Sequence, residues 1–243
     1  MRGPALAFAM LSFAVARAAA LVGDAPPAEW TIARPAVMVY SSDGRCSGVV
    51  LAQDLVLTAA HCVTATTNFK IVGHLATVLY QLADVTDIGA HPEFSTAVWP
   101  TPDLALLKLS KPLPTGFAPA FLSARPIAVD DRLIVVGYGV ATQGDRQSGG
   151  TPRMATLIVT DRSDKLVTLR DASAGAISGC SGDSGAPVFA IRAGVPALVG
   201  VVSRGHCRTF TEVIPLAPYR DWMLETARRF GSPLDSVASP FSP

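Results

Sequence analysis

At 243 residues and 49% hydrophobic, the chain can bury a substantial core and has the length of a single all-β catalytic unit. Its formal net charge of +1 provides no large electrostatic field to gather nucleic acid or an anionic membrane surface, which argues against both as partners.

The first twenty residues have the three parts of an export signal. Arg2 supplies positive charge, an apolar run extends from Ala5 to Ala16, and Ala18, Ala19 and Ala20 precede a cut. The run is shorter than the roughly 20 residues that span a bilayer, and Arg17 closes it. Residues 1–20 are therefore expected to be removed on secretion or on export to the periplasm, with no membrane segment left. Export permits disulfides, and Cys46, Cys62, Cys180 and Cys207 allow three pairings. No CxxC or HxxxH pair occurs, so disulfides are expected in preference to a metal site, and no cofactor is expected.

From Trp30 to Val213, short apolar runs are punctuated by Gly, Pro, Asp and Ser, the pattern of an all-β sandwich or barrel. Runs at 36–40, 48–52, 55–58, 104–109, 133–137, 154–159, 187–191 and 197–203 are rich in Val, Ile and Leu. They lack strict alternation, as expected of strands packed inside a small barrel. One helix is predicted over 216–230, where Tyr219, Trp222, Met223 and Ala227 share a face that would pack on the barrel. Residues 231–243 are rich in Ser and Pro and read as a flexible tail. The predicted organisation is a signal at 1–20, a catalytic domain at 21–230 and the tail.

A hydroxyl nucleophile needs a base, a carboxylate to orient that base, and donors for the oxyanion. Ser184 lies in Gly182-Asp183-Ser184-Gly185, where paired glycines allow a tight turn that points the N–H groups of Gly182 and Ser184 at one oxygen. Four residues alone could be an ordinary turn. Here Cys180 precedes the turn and Pro187 opens an apolar run after it. Two further motifs stand upstream, Leu57-Thr58-Ala59-Ala60-His61-Cys62 and Pro102-Asp103-Leu104-Ala105-Leu106-Leu107-Lys108-Leu109.

Together these three motifs resemble the chymotrypsin and trypsin family of serine proteases. The order His, Asp, Ser separates the resemblance from α/β-hydrolases and subtilisin-like enzymes. It also covers Cys46-Ser47-Gly48, His91-Pro92, Gly137-Tyr138-Gly139 and Ser203-Arg204-Gly205. The resemblance implies an all-β fold of two six-stranded antiparallel barrels with a C-terminal helix and the active site between them. It further implies a secreted serine endopeptidase that acts on polypeptides, meets protein inhibitors and works as a monomer. His61, Asp103 and Ser184 would be its triad, with His61 taking the Ser184 proton and Asp103 orienting His61. The implied disulfides are Cys46 with Cys62 and Cys180 with Cys207. Ser203 and Gly205 would hydrogen-bond an extended substrate.

The resemblance also assigns activation and specificity. A new terminus at Leu21, in Leu21-Val22-Gly23-Asp24, would insert its ammonium beside Asp183 once the signal is cut. Ser178 stands at the position of the primary pocket floor, where trypsin-like members carry Asp. Without a carboxylate there, a Lys or Arg side chain would be buried unpaired, so an uncharged residue before the cut is expected. Apolar or aromatic residues are the first expectation. A narrowed pocket for small residues is the rival, because the loop after Cys207 is short and leaves open whether Thr209, Phe210 or Thr211 faces the pocket. Arg204 replaces the usual family Trp, and Ala186 the usual Gly. His74, His91 and His206 receive no chemical role, and Asp84, Asp87 and Glu93 lack the spacing of a calcium loop. A binding module that has lost catalysis and an esterase are the competing classes.

Overall fold

The strands carry apolar residues on both faces, and that decides the architecture. The computed structural model describes residues 21–234 apart from 24, 65–67, 76–77, 124 and 173–176. The expected signal and residues 235–243 of the expected tail lie outside the described residues.

Six strands close the first antiparallel barrel: β1 (Ala36–Ser41), β2 (Gly44–Ala52), β3 (Leu55–Thr58), β4 (Lys70–Leu75), β5 (Val78–Ala90) and β6 (Ala105–Leu109), in the order β1-β2-β3-β6-β5-β4. After the two-residue strand β7 (Phe121–Leu122), the second barrel uses β8 (Arg132–Gly137), β9 (Arg153–Arg162), β10 (Val167–Arg170), β11 (Pro187–Arg192), β12 (Val195–Gly205) and β13 (Thr211–Pro215). Their order is β11-β8-β9-β10-β13-β12, closed by pairing of β11 with β12, and β7 adds parallel to β12.

Alternate residues of one strand serve two different cores. Val50, Val56, Ala105 and Leu107 fill the first barrel, whereas Val49, Leu51, Leu55, Leu57, Leu104 and Leu106 face outward into an apolar layer shared with the second barrel. That layer also holds Tyr138, Phe189, Leu198 and Ile214. Each of these fully buried large side chains stabilises the fold by about 1.5–3 kcal/mol, so the cleft between the barrels rests on a rigid seam. Double burial explains why the sequence shows runs rather than alternation.

Among the strands with no expectation behind them are β4, β5, β7 and β10. β5 is mostly exposed along its length and carries Gln81, Asp84 and Asp87, so its period-2 signal is weak. The helix predicted over 216–230 divides into a 3-10 turn at Ala217–Tyr219 and α2 (Arg220–Arg229), because Pro218 cannot donate within a regular α-helix. A one-turn helix α1 (Trp30–Ala33) precedes β1. The first residues of the expected tail are anchored: Gly231, at φ +68, turns the chain so that Ser232 N–H donates to Ala227 O at 3.0 Å. Ser232 Oγ then donates to Asp54 Oδ1 at 2.7 Å, while Lys108 Nζ pairs with both.

Candidate active site

His61 sits in the 3-10 turn Ala60–Val63, immediately after β3, and its neighbour Cys62 is bonded to Cys46 on β2. Asp103 sits just before β6, whose register with β3 sets Thr58 opposite Ala105. The Asp103 carboxylate takes two bonds from one residue: His61 N–H donates to Oδ1 at 2.9 Å and His61 Nδ1 lies 2.7 Å from Oδ2. Ser203 Oγ donates to the same Oδ2. Asp103 is 2% exposed. Burial works against its charge, but the His61 hydrogen bond and charge together with the Ser203 and His61 backbone donors outweigh it and hold the carboxyl below the usual carboxylate range. With Nδ1 donating to Asp103, Nε2 is the acceptor nitrogen.

Ser184 lies between Gly182 at φ +94 and Gly185 at φ +80, which are backbone conformations open to glycine. At Gly185 there is also no room, since a Cβ would overlap Ser47 O and Thr58 Oγ1. Ser47 of the first barrel grips this turn at two points and ties it to Tyr138 by a third bond. Its N–H donates to Ser184 O at 2.7 Å, its Oγ donates to Gly182 O at 2.9 Å, and the same Oγ accepts Tyr138 N–H at 2.9 Å. Thr58 Oγ1 in turn donates to Ser47 O at 2.7 Å. The Ser184 hydroxyl donates to Ser203 O at 3.2 Å, so it is turned toward β12.

Within the turn, Asp183 N–H is spent on Cys180 O at 3.0 Å and Gly185 N–H on Val202 O at 2.6 Å. Among the described residues, the N–H groups of Gly182 and Ser184 donate to no protein acceptor. Asp183 itself is fully buried, accepting Gly139 N–H at 2.8 Å and Cys180 N–H at 2.9 Å. Its carboxylate fills the space that side chains at 137 and 139 would need, which accounts for both glycines of Gly137-Tyr138-Gly139. Burial, only partly offset by those two donors, pushes its pKa up to about 7.

The segment expected to activate the molecule is seated nearby. Leu21 and Val22 are buried, Leu21 in the second-barrel core and Val22 beside Val140 and Cys180, and Ser178 N–H donates to Val22 O at 3.2 Å.

A cleft of about 460 Å³ runs past His61 and Ser184. Its lining includes Trp99, Ser181, Ser203, Arg204 and Gly205. Ser178, expected at a pocket floor, does not reach this cleft. It is fully buried, and its Oγ accepts Arg208 N–H at 2.7 Å. The two walls above it are in contact: a Cβ on Gly205 would overlap the Gly179 carbonyl, and one on Gly179 would lie 3.3 Å from Gly205 Cα. Thr211 Oγ1 closes the third side by accepting Gly179 N–H at 2.8 Å.

Cys180 and Cys207 are bonded to each other behind this wall. Of the three remaining histidines, His74 stacks on Tyr138 and His91 contacts Tyr219 and Trp222, while His206 lines the cleft and pairs with Glu212 at 2.9 Å. Sequence reasoning passed over Ser47, Thr58 and Trp99. The position of Ser47 beside Cys46 in a quoted motif was the available signal.

The family model described as Trypsin matches residues 25–223. A trypsin-like protease of Streptomyces glaucescens is 34% identical over 193 residues, covering 69% of this chain and 67% of the relative. A vitellin-degrading protease of Bombyx mori is 30% identical over 185 residues, 66% of each. This chain thus spans about two thirds of the length of both relatives. Among solved structures, neuropsin, a serine protease expressed in the limbic system of mouse brain, superposes with a TM-score of 0.69 at 18% identity, covering 84% of this chain and 98% of that one. A scabies mite inactivated protease paralogue gives 0.69 at 21%, covering 84% and 99%. At these identities the two structures speak for the fold alone.

Proposed function

Because the chain belongs to the trypsin family of serine proteases, we propose that it is an exported serine endopeptidase with Ser184 as nucleophile, His61 as general base and acid, and Asp103 as the residue that orients His61. The observation that carries this reading is the His61–Asp103 pair opening onto the same cleft as Ser184, beside two undonated N–H groups. In the reaction, the Ser184 hydroxyl leaves Ser203 O, donates to His61 Nε2 and attacks the scissile carbonyl. Gly182 and Ser184 N–H stabilise the oxyanion. His61 passes the proton to the leaving amine, and water hydrolyses the acyl-enzyme by the reverse transfers.

Activation follows from Asp183. A buried carboxylate whose protonated form is favoured needs a cation to hold it charged. Removal of residues 1–20 would create that cation as the Leu21 ammonium, and the burial of Leu21 and Val22 supports insertion at this place. The mature protein acts as a monomer in the periplasm or outside the cell, on polypeptides and subject to protein inhibitors.

Cleavage is non-tryptic. Ser178 offers no carboxylate, and the contact between Gly179 and Gly205 supports a small residue, Gly or Ala, before the cut over the aromatic one also expected. Inserting a large side chain there would force the walls apart, a cost of about 1–3 kcal/mol.

A binding module is the second reading, favoured by the Ser184 hydroxyl donating to Ser203 O and not to His61. A fluorophosphonate probe and digestion of a denatured protein separate the readings. Labelling and peptide cleavage by protein beginning at Leu21, both lost in Ser184→Ala, are expected. Labelling without peptide cleavage would leave an esterase, and no labelling would leave the binding module.

A further inference from the structure

The closed slot moves the burden of substrate choice elsewhere in the cleft, and one cation stands ready there. Arg204 Cζ lies 3.6 Å above the centre of the Trp99 ring. Both residues line the cleft, together with the hydroxyl-bearing Ser95 and Thr96. Stacking on an indole fixes the plane of a guanidinium while leaving the N–H donors on its edge unspent. Glu212, opposite Arg204 in the β12–β13 ladder, is committed to His206 at 2.9 Å, and Asp103 to His61 and Ser203. Among the described residues Arg204 is in no ion pair. The cleft therefore presents a preoriented, uncompensated fork of donors, the geometry that takes a carboxylate with two parallel bonds.

We propose that Arg204, held flat by Trp99, selects substrates with an acidic side chain two or four residues before the cut. The proposal rests on the endopeptidase reading above. An extended peptide lying along β12 turns alternate side chains to opposite faces. When its first residue before the cut faces the closed slot at Gly179 and Gly205, its second and fourth residues face the other side, where Trp99 and Arg204 stand. Substrates of this enzyme are then acidic peptides with Gly or Ala at the cut, in contrast to members of the fold that read one large side chain in a deep pocket. Because Arg204 is exposed, salt screens its attraction.

The test uses protein beginning at Leu21 and fluorogenic peptides with Ala before the cut and Glu, Gln or Lys at the second or fourth position. Active sites are counted in each preparation with a fluorophosphonate. The wild type is expected to favour Glu over Gln in kcat/KM by about 10-fold at one of the two positions, the order of one charge-assisted hydrogen bond at a partly exposed site. The difference should appear mainly in KM and shrink in 1 M salt. Arg204→Gln is expected to bring the ratio to about one, and Arg204→Glu to favour Lys over Glu. Trp99→Leu, which keeps the charge but removes the ring that orients it, should reduce the ratio several-fold. A wild type that titrates fully yet treats Glu and Gln alike at both positions overturns this inference and leaves the peptidase reading intact. A wild type with no titratable serine overturns both.

Discussion

The two barrels bring their halves of the site to different degrees of completion. On the first barrel, His61 and Asp103 are fixed at the ends of β3 and β6 by three short hydrogen bonds onto one carboxylate, two from His61 and one from Ser203. On the second, the Ser184 hydroxyl rests on Ser203 O, the walls of the primary slot touch, and Asp183 is buried without a cation beside it among its hydrogen-bond partners. Strand ends locked by a shared core need from the second barrel only the Ser203 hydroxyl on Asp103. A turn built on two positive-φ glycines depends on what supports it, and the support comes from Ser47 on the other barrel and from the Leu21–Val22 segment far away in the chain. On the proposed activation by the Leu21 ammonium, control of activity lies on the second barrel.

The harshest way to break the comparison is to damage the half that is complete. Asp103→Asn should fold but lower kcat by about 10⁴-fold, because the amide no longer holds His61 in the tautomer with Nε2 free. Ester hydrolysis with circular dichroism on the same sample checks it. A loss below tenfold would mean that the His61–Asp103 bond does not set the reactive tautomer.

The incomplete half should respond to pH according to its N-terminus. In protein that retains residues before Leu21, the Asp183 pKa is raised from 3.8 to about 7. Its folded state then binds a proton the unfolded state has lost, and the stability from this group is full below pH 4 and falls as pH rises through 7. Urea unfolding between pH 4 and 8 should show a decline of several kcal/mol that Asp183→Asn removes. In protein beginning at Leu21 the ammonium favours the charged carboxylate, and the decline should vanish. An equal decline in both forms would sever Leu21 from Asp183.

Smaller effects sharpen the contrast. Replacing Cys180 and Cys207 by Ser opens a loop of sequence separation 27 and should cost about 3 kcal/mol, with loss of activity, because the bridge anchors the Cys180 backbone whose N–H donates to Asp183. The Cys46–Cys62 link closes a separation of 16 and should cost slightly less. Ser232→Ala, far from both halves, should lower stability by about 1 kcal/mol through the lost Asp54 and Lys108 contacts and leave kcat/KM unchanged. Thermal unfolding beside a steady-state assay measures all three.

The fold was legible where strands were doubly buried. β3 was read to the residue because Leu55–Thr58 is apolar on both faces and bounded by Asp54 and Ala59. β5 was missed because Gln81, Asp84 and Asp87 interrupt its apolar residues without a clean alternation, and only its ladder to β4 and β6 makes it a strand. The residues of the proposed site stand in motifs that the sequence displays, but their orientation does not follow from those motifs. No string of letters shows that Ser184 Oγ faces Ser203 O, or that the Ser203 hydroxyl is spent on Asp103. Contact between Gly179 and Gly205, far apart in sequence, likewise exists only once β12 and the turn before Ser184 are folded together.

The most direct measurement is to trap the acyl-enzyme. Protein beginning at Leu21 is mixed with an activated ester of an Ala-terminated peptide, quenched in acid within its first turnover and mapped by mass spectrometry. The account predicts one acyl group on Ser184, absent from Asp103→Asn on the same timescale. An adduct on another residue, or none while peptide is being cleaved, would contradict it.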